Sequence, residues 1–205
     1  LSVNGESLQG LTLNEAAEKI RGPKGTKAKL KVLRSGFKEP IELELVRDRI
    51  PLETVKGELG PDGIGLLSIS QFSPNTPQQV ADELQSLEAG GLQALIVDLR
   101  NNPGGMTDAV HKTADQFIPE GKVIVQYEYS DGRHVQEVAK GESGESDGKP
   151  YPILVLINQA SASSAEILAG ALQQSAGAIL VGEQSFGKGT VQISYPDELG
   201  DGSLV

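Results

Sequence analysis

From Gly63 to Leu99 the chain reads strand, helix, strand, and the second strand is apolar on both faces. That order constrains the fold more than any other feature. Residues 64–72 read as a strand, and 77–87 place Val80, Ala81, Leu84 and Leu87 on one helical face. Gly90-Gly91 ends the helix. Leu95-Ile96-Val97 offers no polar side to water, as expected of a central strand covered on both faces. Two strands joined through a helix pair in parallel with a right-handed crossover. An α/β core is therefore expected.

The texture persists downstream. A helix is expected over 106–117, with Met106, Val110, Thr113 and Phe117 inward. A hairpin over 122–129 and 133–139 turns at Asp131-Gly132, and 141–149 reads as a Gly/Ser/acidic loop. A buried strand over 151–157, a helix over 164–174, a strand over 178–181 and a last strand over 189–195 complete the pattern. Upstream, residues 1–50 read as a small α+β unit. It has a short strand at its start, an Asn4-Gly5 turn, and a helix opened by a Thr12/Glu15 capping box. That helix carries Leu13, Ala16, Ala17 and Ile20 on one face and stops at Gly22-Pro23. Alternating strands over 27–33 and 41–46 follow, joined at Ser35-Gly36. Residues 51–62, broken by Pro51, Gly57, Gly60 and Pro61, read as a linker. The expected division is 1–50 and 51–205. Because Leu1 stands inside what reads as a strand, the true N-terminus is expected to have been removed.

Composition narrows the chemistry. A net charge of −10 repels a phosphate backbone, so nucleic acid is not an expected partner. No apolar run reaches the roughly 18 residues needed to span a membrane. The absence of cysteine excludes thiol catalysis and cysteine-ligated metals. Only two histidines exist. His111 is expected beside the inward stripe of its helix, toward solvent, and His134 in a polar hairpin. Neither lies at an element junction, where a catalytic base is most easily held.

Three segments can carry chemistry. The first, Asp98-Leu99-Arg100-Asn101-Asn102-Pro103-Gly104-Gly105, leaves a buried strand and enters a helix. Its glycines permit positive φ and leave N–H groups open to an anion or oxyanion, or they simply make a tight turn. The second runs from Asn158 to Glu166 and contains Ser161, Ser163 and Ser164 at a strand-to-helix junction. A serine there is held rigidly near the positive end of a helix, as a nucleophile or as a cap paired with Glu166. On chemistry alone all three serines qualify. The third, Gly182 to Gln192, comes close to a phosphate-binding loop. Yet Gly189 stands where a magnesium-ligating hydroxyl belongs, and the β-patterned sequence after it does not open a helix. Lys188, between two glycines, is a base candidate or a surface lysine on a turn.

In that order and at those separations, DLRNNPGG, SASSAE and GEQSFGKGTVQ resemble the signature stretches of the C-terminal processing peptidases, or tail-specific proteases. The resemblance covers nearly the whole chain. It implies a crotonase/Clp-like protease core of mixed sheets and flanking helices, preceded by a partial PDZ (α+β) domain that includes Ile20 to Thr26. It implies a serine endopeptidase with a serine–lysine dyad. The family's serine-to-lysine spacing selects Ser163 with Lys188, and its supporting glutamine maps to Gln192. Its oxyanion donors map to the N–H groups of Gly105 and Ser164. The order Ser163-Ser164-Ala165 exchanges serine and alanine relative to the family's usual pattern, but a main-chain N–H is indifferent to that exchange. A neutral Lys188 amine is required, which burial among the apolar strands could supply. An extended Lys188–Gln192 stretch would hold those side chains about 13 Å apart, so a bend at Gly189 is expected. The resemblance also implies polypeptide substrates bound through their tails, an extracytoplasmic location and no cofactor or metal. Two rivals are an inactive peptide-binding scaffold of the same fold and an acyl-CoA enzyme of the crotonase type.

Overall fold

The computed structural model describes residues 2–48, 52–142, 144 and 147–191. The chain divides into two compact units, Leu1–Pro51 and Leu52–Val205. In the first, β1 (Ser2–Val3) and β2 (Glu6–Ser7) pair antiparallel across the Asn4-Gly5 turn. Helix α1 (Leu13–Ile20) opens on the expected capping box, with Thr12 and Glu15 each satisfying the other's main-chain N–H. Strands β3 (Lys27–Val32) and β4 (Ile41–Val46) complete a sheet of order β2-β1-β3-β4. The expected apolar face of α1 is not buried: Leu13 is 90% exposed. Thr12 and Glu15 cap this helix, but among the described residues none of its side chains is fully buried; Ala16 and Ala17 are half-buried.

The second unit contains the core. Residues 55–59, expected as linker, form strand β5 (Val55–Leu59), paired antiparallel with β6 (Ile64–Ile69). The breakers around it bound the strand rather than abolish it, and α2 (Thr76–Ala89) packs over it. Helix α2 leads to β7 (Ala94–Asp98), parallel to β6 as expected. Helix α3 (Thr107–Ala114) follows the first chemical segment. Met106 precedes it and is half exposed, because the turn before it, not the helical stripe, sets its direction. Val110, Thr113 and Phe117 are buried as expected. The hairpin consists of β8 (Val123–Glu128) and β9 (His134–Val138). His111 is half-buried rather than solvent-facing and hydrogen-bonds the Tyr127 hydroxyl at 2.8 Å. Burial pushes its imidazole below the usual histidine range.

Strand β10 (Ile153–Ile157), helix α4 (Ser164–Ser175) and strand β11 (Ile179–Gly182) finish the described elements. The five-stranded sheet has the order β11-β10-β7-β6-β5. Leu67, Val97, Val155 and Leu180 form one row across it, each the register partner of the next. The first three are completely buried. With Leu168 and Leu172 of α4 and Phe117 after α3 they make a dry core. Full burial of each such side chain stabilises by about 1.5–3 kcal/mol. Residues 189–191 are not strand, and the rest of the expected 189–195 strand lies outside the described residues. Among the described residues no helix is long and apolar enough to cross a membrane.

The topology fixes where chemistry can occur. Strands β7, β10 and β11 are adjacent and parallel. The three segments singled out in the sequence each leave the C-terminal end of one of these strands. They are therefore delivered to one edge of the sheet, the edge at which α/β folds place ligands.

Candidate active site

The turn after β7 is pinned from inside. Asn102 is fully buried, and its amide donates to the Ile69 carbonyl at 2.8 Å. Its side-chain oxygen accepts from Gly104 N–H at 2.8 Å, and its main-chain carbonyl accepts from Ala162 N–H at 3.0 Å. Asn101 and Asn158 exchange reciprocal bonds of 2.9 and 3.0 Å. The asparagines thus lock the β7 turn to the β10 turn. Beyond them, the Gly104 carbonyl accepts from Phe72 N–H and the Phe72 carbonyl from Met106 N–H, both at 2.9 Å. Gly105 sits between these bonds at φ +145°, a value that excludes ordinary side chains, with the Phe72 carbonyl where a Cβ would be.

The three serines are distinguished by their partners. Ser161 is buried, and its hydroxyl donates to the Leu99 carbonyl at 2.8 Å and accepts from Asn158 N–H at 2.9 Å. Ser164 is buried, and its hydroxyl donates to the Gly105 carbonyl at 2.9 Å. Both are pins. Ser163 is half-buried, and its hydroxyl donates to no group among the described residues. It stands at φ 56°, ψ −118° immediately before α4. Among the described non-glycine residues only Asn4, Asn101 and Ser163 have positive φ. Asparagine tolerates that region and serine does not favour it, so the arrangement costs about 1–3 kcal/mol that the surrounding bonds must offset.

The N-terminus of α4 is nearly satisfied from within. Ala165 N–H donates to the Ala162 carbonyl at 3.1 Å, and the N–H groups of Glu166 and Ile167 both donate to the Ser163 carbonyl, at 2.8 and 3.0 Å. Ser164 N–H is left without an acceptor among the described residues, as is Gly105 N–H. A Cβ placed on Gly104 would lie 2.9 Å from Ser164 N and 2.8 Å from Ser163 Cβ. The glycine turn therefore runs directly alongside the Ser163–Ser164 peptide, at the positive end of the helix.

The third segment is carried to this place by Glu166. Its Oε2 accepts from Ser163 N–H at 2.8 Å and from Lys188 N–H at 2.9 Å. Its Oε1 accepts from the Ser185 hydroxyl and from Gly187 N–H, both at 2.7 Å. Because one oxygen takes both, the main-chain nitrogens of Ser163 and Lys188 cannot be more than about 6 Å apart. Burial opposes charge on Glu166, but the bonds from Ser185, Gly187, Ser163 and Lys188 hold its carboxyl below the usual glutamate range. Phe186 N–H adds a bond to the Ser161 carbonyl at 2.9 Å. Among the described residues no helix opens after Lys188, and residues 189–191 are irregular, which counts against the phosphate-loop reading. The expected burial of Lys188 among apolar strands is not found: its side chain is exposed among the described residues. Gln192 lies outside the described residues. Sequence reading offered Glu166 as a helix cap, a partner of the lysine, or both; it caps Ser163 and meets Lys188 through the main-chain N–H, while its bonds to Ser185 and Gly187 had no sequence signal.

Known proteins are similar to this chain in sequence and fold. Residues 63–205 match the model of Peptidase family S41. Carboxy-terminal processing protease CtpA of Bacillus subtilis is 44% identical over 205 residues, which is 100% of this chain and 42% of that protein. The carboxyl-terminal-processing protease of Synechocystis sp. is 40% identical over 207 residues, covering 99% of this chain and 47% of that protein. The chain thus spans less than half the length of these relatives. Among solved structures, the photosystem II D1 C-terminal processing protease superposes with a TM-score of 0.62 at 26% identity, covering 94% of this chain and 53% of that one. With the family pattern running through β6, β7, β10 and the turns they carry, this chain belongs to Peptidase family S41.

Proposed function

We propose that this chain carries the catalytic core of a serine endopeptidase that cleaves extended polypeptides near their C-termini. Ser163 is the nucleophile, Lys188 the general base, and the N–H groups of Gly105 and Ser164 form the oxyanion hole. The observation that carries the reading is the contrast among the serines: the hydroxyls of Ser161 and Ser164 donate to main-chain carbonyls, whereas that of the strained Ser163 donates to no described group.

In this mechanism Ser163 Oγ attacks the scissile carbonyl while the Lys188 amine, in its neutral form, takes the hydroxyl proton. The developing oxyanion accepts from Gly105 and Ser164 N–H, each donor contributing about 3–4 kcal/mol. Lys188 then returns the proton to the leaving amine, and water hydrolyses the acyl-enzyme by the reverse roles. Gln192 orients the lysine. Lys188 is exposed here, so a bound substrate supplies the exclusion of water that the amine needs. Residues 1–50 act as part of a PDZ domain that receives substrate tails, and residues 51–205 as the protease core. The parent protein works outside the cytoplasm. The relatives' printed names and the shared family support the peptide-cleaving class over a peptide-binding scaffold or an acyl-CoA enzyme.

The test compares Ser163→Ala and Lys188→Ala with the parent in the full-length protein, using an unfolded polypeptide substrate. Both variants are expected to lose at least about 1,000-fold in kcat with the fold retained. Parental turnover by Lys188→Ala refutes the assignment of the base.

A further inference from the structure

Glu166 is not a member of the proposed dyad, yet it touches more of the site's main chain than any group described above. A helix cap requires Glu166 to accept one bond, from the Ser163 N–H. That bond is present, but three more donors arrive from 19 to 22 residues downstream: the Ser185 hydroxyl, Gly187 N–H and Lys188 N–H. We propose that Glu166 is a positioning residue, a carboxylate clasp that joins the main chain of Ser163 to the Lys188-bearing turn. The inference rests on the reading of Ser163 and Lys188 given above.

The geometry explains why the group is a carboxylate. Each oxygen accepts two donors, so four acceptor positions are filled on one side chain. A carboxamide of the same shape has one accepting oxygen; with that oxygen kept on Ser163 and Lys188, its NH2 group opposes the Gly187 N–H, while the Ser185 hydroxyl can turn to accept from it. Substitution by glutamine therefore loses at least one main-chain bond and opposes donor to donor at the lysine turn. The geometry also explains what the clasp avoids. It takes Lys188 by its main-chain N–H, which leaves the amine for Ser163 rather than tying it into an ion pair. The rest of the 183–188 segment is anchored only by Phe186 N–H on the Ser161 carbonyl and Glu183 N–H on the Ile157 carbonyl, among the bonds described. Without Glu166, the lysine turn keeps its attachment to the sheet but loses its attachment to the nucleophile. One residue thus bonds both to the main chain of the strained Ser163 and to the main chain of the turn that carries the base.

The experiment uses the full-length protein with Glu166→Gln and the milder Ser185→Ala, which removes one donor and leaves the Ser163 bond intact. Turnover is measured in these variants, and amide hydrogen exchange is measured for the same changes in a Ser163→Ala background. Glu166→Gln is expected to lower kcat about 100-fold with KM within about 3-fold, since positioning rather than binding is lost. Exchange at Gly187 and Lys188 is expected to accelerate at least about 10-fold while β7 and β10 stay protected. Ser185→Ala is expected to show the same pattern at about 3- to 10-fold in kcat. Parental kcat in Glu166→Gln overturns the proposal. So does unchanged exchange at Gly187 and Lys188, or acceleration spread evenly through the chain. If Glu166→Gln does not fold, Ser185→Ala decides by the same two readouts. Proteolysis surviving in Ser163→Ala would sink the reading of the nucleophile instead, and that arm is scored separately.

Discussion

Replacing Gly104 by alanine sets a methyl group against the proposed nucleophile itself. The new Cβ would lie 2.8 Å from Ser163 Cβ, 2.8 Å from the Ala162 carbonyl oxygen and 2.9 Å from Ser164 N. Ordinary carbon contacts are about 3.5–4.0 Å, so roughly 0.7–1 Å must be found by moving one chain off the other. Two of the three opposing atoms are main chain, so no side-chain rotation relieves the contact. Gly104 also sits at φ +98°, which costs an L-residue about 1–3 kcal/mol. Overpacking adds about 1–3 kcal/mol. The expected loss of stability is therefore about 2–6 kcal/mol, and a displacement of this size at the nucleophile lowers kcat about 100-fold. Gly91→Ala isolates the backbone contribution, because Gly91 has φ +93° with nothing within 4 Å of its would-be Cβ. It should lose only about 1–3 kcal/mol and keep parental kcat. The assay is urea denaturation together with steady-state cleavage of an unfolded peptide by the full-length variants. If Gly104→Ala matches Gly91→Ala in both measurements, the glycine turn does not abut Ser163 and the account of this site is wrong.

Three further outcomes follow from the same geometry. Ser164→Ala removes the hydroxyl bond to the Gly105 carbonyl but retains the N–H, so it should cost about 1–3 kcal/mol in denaturant titration and no more than about 10-fold in kcat. Asn102→Ala strips partners from the Ile69 carbonyl and Gly104 N–H in a fully buried place, and calorimetry should show a loss of about 2–5 kcal/mol with activity falling as the turn loosens. Glu166 has its folded carboxyl held low, so its stabilisation is complete above the unfolded glutamate range and is lost as pH falls through the lowered folded value. Urea midpoints measured from neutral pH into acid should therefore fall less steeply for Glu166→Gln than for the parent; equal slopes would refute the linkage.

Much of this architecture was readable because it is encoded over short stretches. The Thr12/Glu15 box formed as its spacing requires. Leu95-Ile96-Val97 became an interior strand because residues apolar on both faces have no other place in water. The proline and glycines after Asp98 formed a turn for the same local reason. Local readings failed where a distant partner decided. Residues 55–59 contain Gly57 and read as linker, yet β6 and α2 supply the ladder and the cover that make them a strand. Met106 fits a helical stripe, but the Phe72 pairing turns it outward. The α1 stripe is present and still exposed, since periodicity names a face without naming what covers it.

The sequence alone determined the parallel α/β order, the three segments able to carry chemistry and the family they resemble, because each is written in contiguous residues whose sterics and polarity act locally. It left three serines chemically equivalent. The family resemblance pointed to Ser163, but only the tertiary structure gives a physical difference among them, because a hydroxyl's availability depends on which carbonyl lies opposite it: Leu99 for Ser161, Gly105 for Ser164, and none among the described residues for Ser163. It also gave Glu166 its four donors, which converge only when β10 and β11 lie side by side and point the same way.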